Sequence, residues 1–202
     1  MKKGLFIALE GLDGSGKSTQ GNIIKEYLLN KGYDVVFTRE PGGTDVSERL
    51  REIILDKTIT NMHPLTECYL YAAARCQIVH ELIEPALKEG KIVICDRYVY
   101  SSIAYQGYGR NLGEDTVMDI NKFAMDGVMP DLTIYFDMEK DNSRINREKD
   151  RMELNSDDFF HNVYLGYKAH YNDEKAIVVN AKESIESISK RLISAIEGLL
   201  NE

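Results

Sequence analysis

Residues 11–18 read Gly-Leu-Asp-Gly-Ser-Gly-Lys-Ser, which satisfies G-x-x-x-x-G-K-[ST]. Glycines at this spacing let the backbone turn several N–H groups onto one anion. A helix starting at the Lys–Ser pair adds the positive end of its dipole. The pattern predicts a nucleoside triphosphate cradle formed by Gly11, Leu12, Asp13, Gly14, Ser15, Gly16, Lys17, Ser18 and Thr19. Lys17 is expected to reach the β- and γ-phosphates, and Ser18 to ligate Mg²⁺ beside ATP. The alternative, a fortuitous glycine-rich turn, is disfavoured because an apolar run precedes the motif and a helical pattern follows it.

A second apolar run, Ile92-Val93-Ile94-Cys95, ends in Asp96. Parallel sheets place ligand-binding side chains at the C-terminal edge of their strands, so Asp96 is a candidate to orient Mg²⁺ or its water shell. Arg39 and Arg97 each follow such a run, and both guanidiniums could face one crevice and grip a single phosphate. The bland alternative pairs them with Glu40 and Asp96 as surface ion pairs. Tyr71 and Arg75 lie four apart on a helical segment and share a face, where one could stack on a base while the other bonds its edge.

The elements that must position these groups alternate. Short apolar runs at Leu5–Leu9, Tyr33–Thr38, Ile92–Cys95, Leu132–Asp137 and Ala176–Asn180 are each followed by helical spacing. This predicts an α/β fold: a five-stranded parallel sheet flanked by helices on both faces. Helices are expected from Gly16–Thr19 to Lys31, over Thr44–Asp56 with Thr44 or Asp45 as N-cap, and over Pro64–Glu89 with Pro85 kinking or dividing it. Further helices are expected at Glu114–Asp126, Lys140–Arg151, Asp157–Asp173 and Ser184–Leu200. With no repeat or linker in 202 residues, one domain spanning 1–202 is expected.

A net charge of -8 and a pI near 5.1 argue against a nucleic-acid polymer as partner, while leaving room for a small phosphorylated substrate. No apolar run approaches the length of a membrane span, so no membrane association is expected. Cys68, Cys76 and Cys95 form neither a disulfide framework nor a zinc site and are expected to be reduced and mostly buried. The expected location is the cytoplasm.

At this point the chain resembles the thymidylate kinase family along nearly its whole length. The resemblance rests on five blocks in order: Glu10–Thr19, Thr38–Thr44 (T-R-E-P-G-G-T), Asp96-Arg97-Tyr98, Ser101–Gly107, and Gly127–Thr133 (G-V-M-P-D-L-T). It implies Mg²⁺-dependent transfer of the ATP γ-phosphoryl group to dTMP, and a homodimer. It also implies that Arg39 and Arg97 hold the acceptor phosphate and that Tyr71 and Arg75 read thymine. Ser102 and Gln106 would meet the polar edge of the base, Tyr105 would lie beside the sugar, and Asp13 would engage the 3′-hydroxyl.

In one branch of that family an arginine sits within the phosphate loop, whereas Gly14 and Ser15 stand here. The missing charge is expected from a lid at about 139–155. There Arg144, Arg147 and Arg151 fall at i, i+3 and i+7 and would share a face if helical. The resemblance implies catalysis by Arg147 and Arg151 and packing of Arg144 on adenine; the plain alternative is a solvated helix with Glu148 and Asp150 as ion-pair partners. The rival enzymatic reading is a kinase for another nucleoside monophosphate or a deoxynucleoside. A GTP-dependent switch is disfavoured because no N-K-x-D occurs.

Overall fold

The computed structural model describes residues 4–141, 143, 148 and 150–201. Five strands, β1 (Leu5–Glu10), β2 (Val35–Arg39), β3 (Ile92–Asp96), β4 (Leu132–Asp137) and β5 (Ala176–Asn180), form one sheet in the order β2-β3-β1-β4-β5. Every pairing is parallel, as the strand–helix alternation requires. With both faces covered, alternate residues of one strand enter different cores. Ile7 and Leu9 pack with Ile24, Leu28, Leu192 and Ile196 from α1 (Lys17–Asn30) and α8 (Ile185–Leu200). Phe6 and Ala8 pack instead with Ile78, Val79, Ile83 and Tyr98 on the opposite face. This explains why β1 reads as a continuous apolar run.

Helix α2 (Asp45–Leu55) begins as expected, with Thr44 at the N-cap accepting from Ser47 N at 3.4 Å. The segment after Pro64 stays helical but is resolved into α3 (Pro64–Ile78), a π-turn (Val79–Ile83) and α4 (Glu84–Lys88). Pro85 has no N–H to continue the ladder and its ring crowds the preceding turn, and the wider π-turn lies immediately before it. Gly90, at φ 79°, ends the run.

Three sequence expectations are corrected. The helix from Asp157 (α7) stops at Lys168, five residues short of the expected end. No α-helix forms over the described positions of Lys140–Arg151: Lys140, Asp141, Glu148 and Asp150 carry no helix, Ser143 lies in a 3₁₀ turn, and Arg151 begins a turn. Cys76 is exposed, unlike Cys68 and Cys95.

An element the periodicity did not predict follows β3. Helix α5 (Val99–Ser102) continues as a π-helix over Ile103–Gly109, ahead of α6 (Glu114–Met125). Its β-branched and aromatic residues have weak local helical preference. A distant carboxylate supplies its start: Glu10 Oε1 accepts from Tyr98 N at 2.8 Å and Ser101 N at 3.2 Å, and Oε2 accepts from Ser101 Oγ at 2.5 Å. These bonds satisfy N–H groups that a helix start leaves unpaired.

Candidate active site

The loop joining β1 to α1 is built from glycines in conformations that side chains resist. Gly11 has φ 143°, and a Cβ there would lie 2.8 Å from the Phe136 carbonyl oxygen. Gly14 and Gly16 also have positive φ. Helix α1 has no side-chain cap and no acidic residue in its first turn, which leaves its N–H groups to an anion. Lys17 is buried and folds back, donating from Nζ to the carbonyls of Gly11 and Leu12, both at 2.9 Å. Burial, aided by the charge on Arg97 and only partly offset by Asp96, Asp13 and Glu10, lowers its pKa to about 8.

Ser18 Oγ donates to Asp96 Oδ2 at 2.6 Å, joining the loop to the end of β3. These two oxygen donors lie where the sequence placed them. Among the described residues no group of three or more His, Cys, Asp or Glu could hold a metal alone. A pair of hard oxygens at the mouth of a phosphate loop fits Mg²⁺, which takes its remaining ligands from phosphates and water.

Beside the loop lies an open cleft, lined by residues that include Asp13, Arg51, Tyr71, Arg75, Arg97, Ser102, Tyr105 and Gln106. Seven of those eight residues were expected from the sequence and converge from five parts of the chain. Arg97, held at φ 74°, directs its guanidinium to Asp13 Oδ1 at 2.6 Å, Tyr167 Oη at 2.8 Å and Ser101 Oγ at 3.2 Å. The same guanidinium lies over the Tyr105 ring, 5.2 Å from its centroid. Asp96 is therefore not its ion-pair partner.

Arg75 is 2% exposed and fixed from three sides. Glu40 accepts from its Nη2 at 2.6 Å and its Nε at 2.9 Å, Ser102 Oγ accepts from Nη1 at 3.1 Å, and Asn121 Oδ1 accepts from the same nitrogen. A buried carboxylate that neutralises a buried guanidinium stops it from being a free charge and sets its direction. Burial pushes the Glu40 carboxyl up despite Arg75.

Gln106 is tied from beneath. Its Nε2 donates to Glu67 Oε1 at 2.9 Å, and Glu67 is itself 1% exposed. Arg110 grips the same carboxylate through Nε at 3.1 Å and Nη2 at 3.0 Å. Arg151 Nη1 reaches Glu67 Oε2 at 2.7 Å while its Nε donates to the Ile54 carbonyl at 2.6 Å. Burial alone would raise the Glu67 pKa, but Arg110, Gln106 and Arg151 outweigh it and hold the carboxyl below its ordinary value.

Other expectations meet the structure differently. Arg39 does not line the cleft; its half-exposed side chain pairs with Glu48 Oε2 at 2.9 Å. Arg51 from α2 lines the cleft, and burial followed by the charge on Arg39 lowers its pKa. The sequence signal for Arg51 is its place on a helix directly after the T-R-E-P-G-G-T block. Arg151, expected over the transferring group, is occupied by Glu67 and Ile54 because the turn from Asp150 tucks it against α2 and α3. That turn is closed reciprocally: Asp150 Oδ1 accepts from Glu153 N at 3.0 Å, and Glu153 Oε2 accepts from Asp150 N at 3.1 Å. Glu148 pairs with Lys57. Arg144 and Arg147 lie outside the described residues.

The family pattern described as Thymidylate kinase matches residues 9–192. A thymidylate kinase of Bacillus licheniformis is 45% identical over 207 residues, covering 98% of each chain. One from Finegoldia magna is 45% identical over 199 residues, covering 96% of this chain and 98% of its own. One from Bacillus velezensis is 50% identical over 171 residues, covering 82% and 81%.

Proposed function

The chain belongs to the thymidylate kinase family and phosphorylates dTMP to dTDP with ATP as donor, and from that premise we propose how its residues divide the work. The observation that carries the assignment of roles is the cleft itself: an arginine-lined chamber with polar Ser102 and Gln106 in its wall opens beside the phosphate loop.

In this reading the loop N–H groups and Lys17 hold the ATP phosphates, and Lys17 exchanges two backbone carbonyls for them. Arg97 and Arg51 bind the dTMP phosphate, with Arg39 adding positive charge from the rim. Asp13, released from Arg97, accepts from the 3′-hydroxyl. Tyr71 stacks on the base, and the Tyr105 ring excludes a ribose 2′-hydroxyl. Ser102 and Glu40 aim Arg75 at thymine O4, while Gln106 meets N3–H. Cytosine presents a donor and an acceptor at those two positions, the reverse polarity, and is rejected by unpaired polar groups.

Ser18 and Asp96 would hold Mg²⁺, which supplies positive charge to the phosphates during transfer. The acceptor phosphate is already an anionic nucleophile, so positioning and charge stabilisation suffice without a general base. With Gly14 and Ser15 in the loop, further charge is assigned to a lid over 139–155, with Arg147 and Arg151 toward the transferring group and Arg144 toward adenine. For Arg151 this role requires release from Glu67 when the lid closes. A cytoplasmic homodimer completes the reading. Its support is that Tyr69 on α3 and Phe123 on α6, 60% and 85% exposed, stand on adjacent helices, and that the cysteines are free.

The test is ADP release with ATP and Mg²⁺ against dTMP, dUMP, dCMP, GMP and thymidine. Turnover is expected with dTMP and to a lesser degree dUMP; turnover with GMP or thymidine in preference to dTMP would overturn the acceptor assignment.

A further inference from the structure

Glu67 does not line the cleft itself, yet Gln106, which does, ends on it together with Arg110 and Arg151. Oε1 accepts from Gln106 Nε2 and Arg110 Nε, and Oε2 accepts from Arg110 Nη2 and Arg151 Nη1, all between 2.7 and 3.1 Å. The carboxylate is buried and held ionised by these partners. An ionised carboxylate only accepts hydrogen bonds, whereas a glutamine amide has one accepting end and one donating end. Gln106 must therefore turn its nitrogen to Glu67, because a carbonyl oxygen facing a buried carboxylate would be repelled. The end left for the cleft is the carbonyl oxygen.

We propose that Glu67 is a positioning and specificity-determining residue, whose fixed acceptor polarity sets the Gln106 amide to read a base donor at N3 and so enforces thymine over cytosine. The proposal rests on the reading that the cleft takes the dTMP base. Arg110, with two contacts of its own and with Arg151 beside it until the lid closes, keeps the carboxylate charged in a buried setting where it would otherwise take up a proton. Arg110 is braced in turn by Asn155 Oδ1 at 2.6 Å and by the Phe159 ring, 4.6 Å from the guanidinium carbon. The polarity that Gln106 shows the base is thus set three side chains away from the ligand.

Glu67→Gln makes the idea testable. With Arg110 Nη2 claiming the new carbonyl oxygen at the Oε2 position, the new amide nitrogen faces Gln106, which must invert and present a donor to the cleft. The measurement is kcat/KM for dTMP, dUMP and dCMP in the full-length enzyme, with thermal melting as a check on folding. The expected result is a fall of at least about tenfold in the dTMP-to-dCMP ratio, the worth of one hydrogen bond exchanged for a mismatch, with the dTMP-to-dUMP ratio unchanged because both bases carry N3–H. The exchange Glu67→Gln with Gln106→Glu conserves charge and returns an acceptor to the cleft, so it should recover the dTMP-to-dCMP ratio.

A folded Glu67→Gln enzyme with both ratios unchanged would overturn the proposal, as would an exchange variant that discriminates no better than Glu67→Gln. Loss of folding in both variants would assign Glu67 a purely structural role and overturn it as well. Wild-type enzyme that turns over another acceptor in preference to dTMP would instead sink the underlying reading of the cleft.

Discussion

Asp13 and Arg97, 84 residues apart, meet at 2.6 Å between the phosphate loop and the end of β3. One was expected to hold a sugar hydroxyl and the other a phosphate, and without substrate they neutralise each other. The pair is partly open to the cleft, the Asp13 side chain being 33% exposed and that of Arg97 16%. Substrate can therefore exchange with it without unfolding the surrounding structure.

Removing Arg97 should both lose the phosphate contact and strip Asp13 of its 2.6 Å ion pair. We expect Arg97→Ala to lower kcat/KM for dTMP by at least about a hundredfold. Asp13→Ala with Arg97→Ala should cost less than the two single losses added together. Steady-state kinetics over the four-member cycle measures this, and strict additivity would mean that the pair is not coupled.

Lys17 separates activity from stability. Lys17→Met should cut kcat by about 10²–10³ because a donor to the transferring phosphate is gone. Stability at pH 7 should hold or rise, since burying the ammonium costs on the order of 3 kcal/mol for a pKa lowered from 10.5 to about 8. Between pH 8 and 10.5 the unfolded chain holds more protons on this group, so wild-type stability gains from this residue as pH rises through that window. Denaturant unfolding at pH 7, 8, 9 and 10 should show that gain in wild type and lose it in the variant.

Glu10 carries the opposite sign. Burial raises its pKa from 4.5 to about 7, against the lowering influence of Ser101, Arg97 and the Tyr98 amide. Between those values the folded chain holds more protons than the unfolded one, so this group's contribution is largest below pH 4.5 and is lost as pH rises to 7. Unfolding free energies at pH 5, 6 and 7 should show a shallower fall in Glu10→Gln than in wild type. An identical slope in both would mean that Glu10 titrates normally.

Ser18 and Asp96 should set the metal requirement. EDTA is expected to abolish turnover, and excess Mg²⁺ to restore it. Asp96→Asn should shift the Mg²⁺ activation curve to higher concentration by about tenfold or more, because one charged oxygen ligand has become neutral. An unmoved activation curve would remove Asp96 from the metal site.

Gly11→Ala should disable the phosphate loop more than the fold. The methyl group would have to enter at φ 143° and within 2.8 Å of the Phe136 carbonyl. Isothermal titration is expected to show ATP affinity reduced by at least about tenfold, since strain of this kind costs about 1–3 kcal/mol. Wild-type affinity would show that the loop can relax around the added carbon.

Much of this protein was determined by local pattern. Gly11–Ser18 announces a phosphate cradle because backbone conformation there depends on glycine itself. Five apolar runs alternating with helical spacing specify a doubly covered parallel sheet because strand burial on both faces removes polar alternation. Arg97 was readable as a site residue because it follows a strand end, and Asp13, Ser102, Tyr105 and Gln106 only through the resemblance of their blocks to the thymidylate kinase family; all five line the cleft.

What only the tertiary structure decided is which partner each charge finds. Arg39 and Arg97 pair with Glu48 and Asp13 and not with their chain neighbours, Arg75 pairs with Glu40, and Arg151 is drawn to Glu67. Helix α5 starts on Glu10, 88 residues earlier than Tyr98, so its own residues carry no signal for it. A charge is satisfied by whatever counter-charge folding brings within about 3 Å in a buried setting, and that proximity is a property of the assembled sheet and helices, which sequence spacing does not encode.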